Sequence, residues 1–443
     1  MIKRHTFENG FQVVYQKSEQ SIPLTCIHVF CNVGSAFEID GIRGASHLVE
    51  HMCFKGTHSR MKARNLLMQY NKIGASFNAY TEKRFTTYTL TCDDNHVENC
   101  TKLLSDMLLH SSFPKNEFAK EQHVVVEENI KTKDNDEYML EKSLDTQYFR
   151  GSSYEHPIDI IDYHPSATYL KYDDIYQWYK WFYRPCNMVL SVISNLSFDA
   201  ILKSIRQSEF IIQRPVSVAP LHLYPTLPIQ PITEHFIYRK KSSIAATILH
   251  VGFRICDFYN KDKYVIQLLK HILNGFSGRL FTTFRTTHGL TYHSSASTQY
   301  YENAGIFCIE LKTDPTKLIY NTTNKKDGRG VIPILVELIG NLIQHGVTQH
   351  ELEVAKGNCK GKTLLNIQSM DILAEYNGIH AVLGSNDVNF IKVYDTYIAQ
   401  ITCKQIHSAI RKYMTYDRLM VGIVHKDAIP KNKIESLFQH FNR

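Results

Sequence analysis

One order of elements is read twice along the 443 residues, which restricts the chain to two related units rather than one large fold. The first pass predicts strands at 11–16 and 24–32, helices at 44–55 and 63–72, and strands at 76–81 and 85–92. Long helical patterns follow at 96–111, 115–133, 138–149 and 168–181, then a buried strand at 188–193 and a helix at 198–206. The second pass predicts strands at 235–239 and 244–253, helices at 259–274 and 277–286, and strands at 291–300 and 304–311. It continues with helices at 333–345, 349–368 and 370–383, and closes on a strand at 419–424 and a short helix. Strands and helices mixed in this way, in units of about 210 residues, define an α+β class.

Between the passes lies a stretch holding Pro215, Pro220, Pro225, Pro228 and Pro231, which favours an extended, semi-rigid connection. The expected division is therefore an N-terminal domain over 1–212, a linker over 213–232 and a C-terminal domain over 233–443.

Composition narrows the function classes. Apolar residues make up 43% of the chain, enough for two large cores. The net charge of +7 is dispersed, without basic runs interleaved with aromatics, so a nucleic-acid interface is not expected. No apolar stretch approaches the roughly 20 residues of a membrane span. Met1 to His5 run almost directly into the strand Phe11–Tyr15, so a signal or transit peptide is not expected. The ten scattered cysteines contain no C-x-x-C and read as reduced, buried thiols of a cytosol-like compartment, not as a disulfide framework or a cysteine zinc site.

The chemistry concentrates in His47-Leu48-Val49-Glu50-His51. Two histidines four apart share a helix face and can share one zinc ion at about 2.0–2.1 Å. Glu50, three residues past His47, projects onto the same face and can polarise a water there. The order H-x-x-E-H is the inverse of the H-E-x-x-H zinc-protease motif. Such a site needs a third protein ligand. Glu121 and Glu128 lie seven residues apart, two turns, and share a face of the 115–133 helix, whereas Glu127 points about 100° away from Glu128. One of the paired carboxylates could be a ligand and the other its support, or the face could be a solvated acidic one. The second pass holds no H-x-x-E-H, so zinc chemistry belongs to the first.

The segment Gly44 to Thr57 resembles the zinc-binding helix of the pitrilysin (M16) peptidases, nearest the type of the mitochondrial processing peptidase β-subunit and its bacterial relatives. Gly74-Ala75-Ser76-Phe77-Asn78-Ala79-Tyr80-Thr81 resembles the strand that follows it in the family. Tyr148 to Pro157, Phe182 to Met188, Gly278-Arg279-Leu280-Phe281 and Arg285 to Tyr292 agree in order, so the resemblance covers nearly the whole chain. It implies two domains, each a mostly antiparallel sheet with helices packed on one side, and a zinc endopeptidase acting on unfolded peptides or precursors. It implies one zinc ion per chain, held by His47, His51 and Glu128, with Glu50 as the base and Glu121 as a helper. The interval from His51 to Glu128 is about one residue longer than usual for the family, which leaves Glu127 as a lesser alternative. Further implied are Arg285 and Tyr292 reaching the substrate carbonyl, Asn78 and Ala79 pairing with the peptide backbone, and a homodimer or heterodimer enclosing the substrate. A catalytically silent scaffold subunit is the competing reading, and it predicts damaged metal residues. Thr286, Thr287 and His288 depart from the charged residues usual there, and Asp134, Asp136 and Glu137 form an acidic group that reads first as a solvated loop and second as a site for basic peptide side chains.

Overall fold

The computed structural model describes residues 2–60, 62–158, 170–212, 219, 223–320, 328–385, 387 and 389–442. The expected helix start at 168–169 and the linker positions 213–218 and 220–222 lie outside them. The strands are β1 Ile2–Thr6, β2 Gln12–Lys17, β3 Leu24–Cys31, β4 Ser76–Thr81, β5 Thr86–Asp93 and β6 Met188–Ser194, then β7 Phe236–Lys240, β8 Thr247–Ile255, β9 Thr291–Tyr300, β10 Gly305–Thr313 and β11 Leu419–His425. The helices are α1 Ala45–Cys53, α2 Ala63–Lys72, α3 Val97–Leu109, α4 Lys115–Lys133, α5 Asp136–Tyr148, α6 Tyr172–Phe182 and α7 Phe198–Arg206. They continue as α8 Asp262–Leu273, α9 Val331–His345, α10 Gln349–Asn366, α11 Met370–Val382, α12 Phe390–Val393, α13 Cys403–Tyr413 and α14 Lys431–Phe438.

The first sheet runs β1-β2-β6-β3-β5-β4 and the second β7-β11-β8-β10-β9. Leaving β1 aside, the two orders are the same. In each sheet the closing strand, β6 or β11, lies parallel to the opening one and antiparallel to the long central strand, β3 or β8. The duplication read from the sequence is thus a duplication of topology. β1, α12 and α13 were not expected, and the helix expected at 277–286 is a π-helix over Phe281–Thr287.

Alternation along the central strand sorts side chains to two faces. Ile27, Val29 and Cys31 join the larger core of the first unit with Leu48, Val49 and Met52 of α1. On the second sheet Leu249, Val251, Phe253 and Ile255 do the same with α8, α9, α13 and α14. The opposite faces hold the main difference from expectation. The compact units are 1–132, 156–226 and 364–390 for the first, and 133–155, 227–363 and 391–443 for the second. The division at the proline-rich stretch therefore needs correction at two segments, because α5 belongs to the second unit and α11 to the first. Each helix covers the sheet face that the helices of the other half leave bare.

Small residues make this possible. A Cβ on Gly378 of α11 would stand 1.9 Å from the Phe30 ring. A Cβ on Gly252 of β8 would stand 2.1 Å from the Tyr148 hydroxyl, and one on Gly422 of β11 would stand 2.8 Å from Leu140. At Gly378 and Gly252 the approach is well inside van der Waals distance, so a side chain there would displace the ring or hydroxyl packed on it, whereas at Gly422 the end of the Leu140 side chain would have to shift. The Tyr148 hydroxyl lies 3.2 Å from His250 Nε2, and burial pushes His250 down to about 4, so the imidazole is neutral at pH 7. Among the described residues, no single helix is long and apolar enough to cross a membrane. The ten cysteines are unbonded.

Candidate metal centre

Helix α1 starts where Gly44, at φ 88°, turns the chain left-handed, a conformation that only glycine adopts without strain. The Glu38 carboxylate accepts from the Gly44 and Ser46 N–H groups at 2.6 and 2.7 Å, satisfying donors that a helix start leaves free. Burial pushes Glu38 up to about 7, against these hydrogen bonds. Leu48, Val49 and Met52 are fully buried, so the opposite face, with His47, Glu50 and His51, is fixed in direction. Helix α4 crosses this face with a buried stripe of Phe118, Glu121, Val125 and Asn129, at three- and four-residue steps.

These two helices bring the expected ligands together. His47 Nε2 and His51 Nε2 lie 3.2 Å apart. Glu128 Oε2 is 3.7 Å from the first and 3.5 Å from the second. Two donors bound to one tetrahedral zinc at 2.0–2.1 Å stand roughly 3.3 Å from each other. The three atoms have that spacing, so the donor set fits the ion. Glu127 is exposed on α4, while Glu128 faces the histidines.

The supporting residues also have definite partners. Glu121 accepts from His51 Nδ1 at 3.1 Å and from Lys55 at 2.7 Å. Burial alone would raise Glu121, but the His51 and Lys55 hydrogen bonds outweigh it and hold the carboxyl below its usual range. For His51, burial works against the charge, and the Glu121 hydrogen bond together with Glu128 and Glu50 reverses the balance and raises it. A carboxylate on the far nitrogen fixes the tautomer that leaves Nε2 free to bind a metal. Glu50 is 8% exposed, and burial raises its pKa. Its Oε2 accepts from the Thr81 hydroxyl at 2.6 Å.

Lys55, Thr81 and Glu38 were not singled out in the sequence. Lys55 is four residues past His51, inside the helix expected at 44–55 but in the turn that follows α1, so the expected helical spacing could have found it. Thr81 and Glu38 come from a strand and a loop, where no local spacing points to them.

β4, which carries Asn78 and Ala79, is the edge strand of the first sheet. It pairs on one side with β5, with Asn78 opposite Thr89 and Ala79 opposite Tyr88. Asn78 Oδ1 accepts from the Ala79 N–H at 2.9 Å. Arg285 and Tyr292 belong to the second unit. Arg285 is exposed with its guanidinium 5.4 Å from the Phe281 ring centre, and Tyr292 is 84% exposed on β9. Arg279 of the same stretch is a clamp, donating to both Glu351 oxygens at 2.6 and 2.9 Å. Two of the three acidic residues are already paired, Asp136 with Lys241 at 3.0 Å and Glu137 with Lys312.

The duplicated α+β fold and this donor set are those of a metallopeptidase. The chain belongs to the M16 peptidase family: residues 13–159 match Insulinase (Peptidase family M16), and residues 169–359 match the Peptidase M16 inactive domain. It is 27% identical to the uncharacterized zinc protease YmxG of Bacillus subtilis (strain 168), over 97% of this chain and 100% of that one. It is 30% identical to the mitochondrial-processing peptidase subunit beta of Caenorhabditis elegans, over 45% of this chain and 42% of that one. The fold matches the crystal structure of a protease from Helicobacter pylori with a TM-score of 0.83 at 20% identity, covering 96% of this chain and 99% of that chain.

Proposed function

We propose that the protein is a zinc-dependent endopeptidase that hydrolyses unfolded peptides or precursors. The observation that carries this reading is the convergence of His47, His51 and Glu128 beside a buried Glu50 held by Thr81. His47 Nε2, His51 Nε2 and Glu128 Oε2 would hold the ion. Zinc bound there would act as a Lewis acid and lower the pKa of water to about 7. Glu50 takes the proton of the attacking water and returns it to the leaving amine. Burial suits this carboxylate to both tasks, because it brings the proton affinity closer to neutral. Glu121 and Lys55 keep the His51 ring in place. The free edge of β4 aligns the peptide as an added strand. Arg285 and Tyr292 are assigned to the developing oxyanion.

A chamber of four such units requires two chains, so the active particle is proposed to be a homodimer or a heterodimer with a related subunit. Cleavage of a quenched peptide pool, abolished by chelator and restored by zinc, tests the reading. A metal-loaded protein that cleaves nothing, alone or with a related chain, would make it a silent subunit. Assaying across a size-separated peak tests the assembly, and full activity in a particle of 51.3 kDa would remove the dimer.

Thr81 is a positioning residue in this scheme. A hydrogen bond to a charged group is worth about 1.5–3 kcal/mol. Thr81→Val should therefore lower kcat about tenfold or more, with KM and zinc content unchanged. Thr81→Ser should restore it. A Val variant with normal kcat would show that the Thr81 bond does not orient Glu50.

A further inference from the structure

We propose that Cys26, His28 and Asp371 form a second metal-ion site in the first unit, suited to zinc or another borderline divalent cation. Cys26 and His28 are two residues apart on β3 and so point to the same sheet face, the one that α11 covers. Each is 1% exposed. Asp371 comes from the first turn of α11, whose start is capped by Ser369. A thiol sulfur, an imidazole nitrogen and a carboxylate oxygen lie within 4.8 Å of one another. His28 Nε2 and Asp371 Oδ1 are 2.8 Å apart.

A second, independent observation points to a ligand. His28 Nδ1 is buried with no hydrogen-bond partner among the described residues, and so is Ser191 Oγ. Ser191 stands directly across from His28 in the β3–β6 ladder, so its side chain is on the same face. A buried polar atom left unpaired costs about 1–3 kcal/mol, and native interiors rarely keep two together without reason.

The duplicated fold supplies an internal control. His250 lies opposite Gly422 on β11 as His28 lies opposite Ser191 on β6, each at the fourth residue of its partner strand. His250 also meets the helix brought over from the other half, through the neutral hydroxyl of Tyr148. The residue two before it is Ile248. Docking a helix on a buried histidine therefore requires neither a thiol nor a carboxylate, yet the first sheet has both.

Charge and donor type select the ligand. Cation binding would release the thiol proton to solvent, giving one thiolate and one carboxylate, which together neutralise a divalent ion in a buried place. A mixed sulfur, nitrogen and oxygen set suits zinc and excludes magnesium and calcium, which take oxygen ligands. The Asp371 side chain is 67% exposed, so solvent can complete the coordination. The site would clamp the start of α11 to β3 and carry no part of peptide cleavage.

Cobalt(II) is the probe, because the His47, His51 and Glu128 centre has no sulfur ligand. Cobalt-loaded protein should show a thiolate-to-cobalt charge-transfer band in the near ultraviolet. His51→Ala should keep the band, Cys26→Ser should lose it, and Asp371→Ala, altered at an exposed position, should bind the probe at least tenfold more weakly. Zinc content of Cys26→Ser should fall by one equivalent while chelator-sensitive cleavage persists. Absence of the band in the wild type, its persistence in Cys26→Ser, or equal zinc in both proteins would overturn the site.

Discussion

Glu50→Gln is expected to keep zinc bound and to lose about 10²–10⁴-fold in peptide cleavage, the contribution of a well-placed general base. The glutamine has the same shape and can still accept from the Thr81 hydroxyl through its carbonyl oxygen, so the fold of α1 has no cause to change. The proposed ligand set is His47, His51 and Glu128, which the substitution does not touch. What disappears is the capacity to accept and return a proton. Burial makes this loss hard to bypass, because Glu50 is 8% exposed and bulk buffer cannot easily reach the same position. Zinc content measured beside cleavage separates the outcomes. Cleavage close to that of the wild type would remove Glu50 from the mechanism, whereas lost zinc would mean that the substitution disturbed the ligands.

The parts of this site that follow helical arithmetic were legible in the sequence. His47, Glu50 and His51 share a face because three and four residues make about one turn, and Glu121 and Glu128 because seven make about two. Lys55 has the same four-residue spacing from His51 but reaches Glu121 from the turn just after α1. Thr81 follows no such spacing, since it reaches Glu50 from an edge strand 31 residues away. The second metal site was read away altogether, because its ligands are two strand positions and an aspartate 343 residues distant, a pattern that no cysteine spacing reveals.

The fold divides in the same manner. Periodicity predicts that α5 and α11 have apolar faces, but not which sheet those faces cover. The glycines held a clue, since an isolated glycine inside a strand or helix marks close approach of another element. Gly252, Gly378 and Gly422 all do so here. Helix α13 was readable and overlooked: Ile406, Ala409, Ile410 and Tyr413 are spaced for one buried face, behind a capping box of Thr402 and Gln405.

The adjacent glutamates Glu127 and Glu128 offer the sharpest test of register. Glu128→Ala is expected to release zinc and abolish cleavage, and Glu127→Ala to retain both. The two substitutions remove the same charge from neighbouring positions of one helix, so a general electrostatic effect on the centre would appear in both. Only coordination separates them. Glu128 Oε2 lies within 3.7 Å of both imidazole nitrogens, while Glu127 faces solvent. With Glu128 gone, the histidines retain only two protein donors, fewer than the three of catalytic zinc sites. Loss of one ligand should weaken binding by more than the 10–100-fold typical of supporting residues, so zinc should not survive dialysis against chelator. Glu121→Gln falls between, keeping the ion but holding it less firmly. If Glu127→Ala loses zinc and Glu128→Ala keeps it, the register of α4 at the centre is off by one residue, and the longer interval from His51 would have to be absorbed in the helix itself.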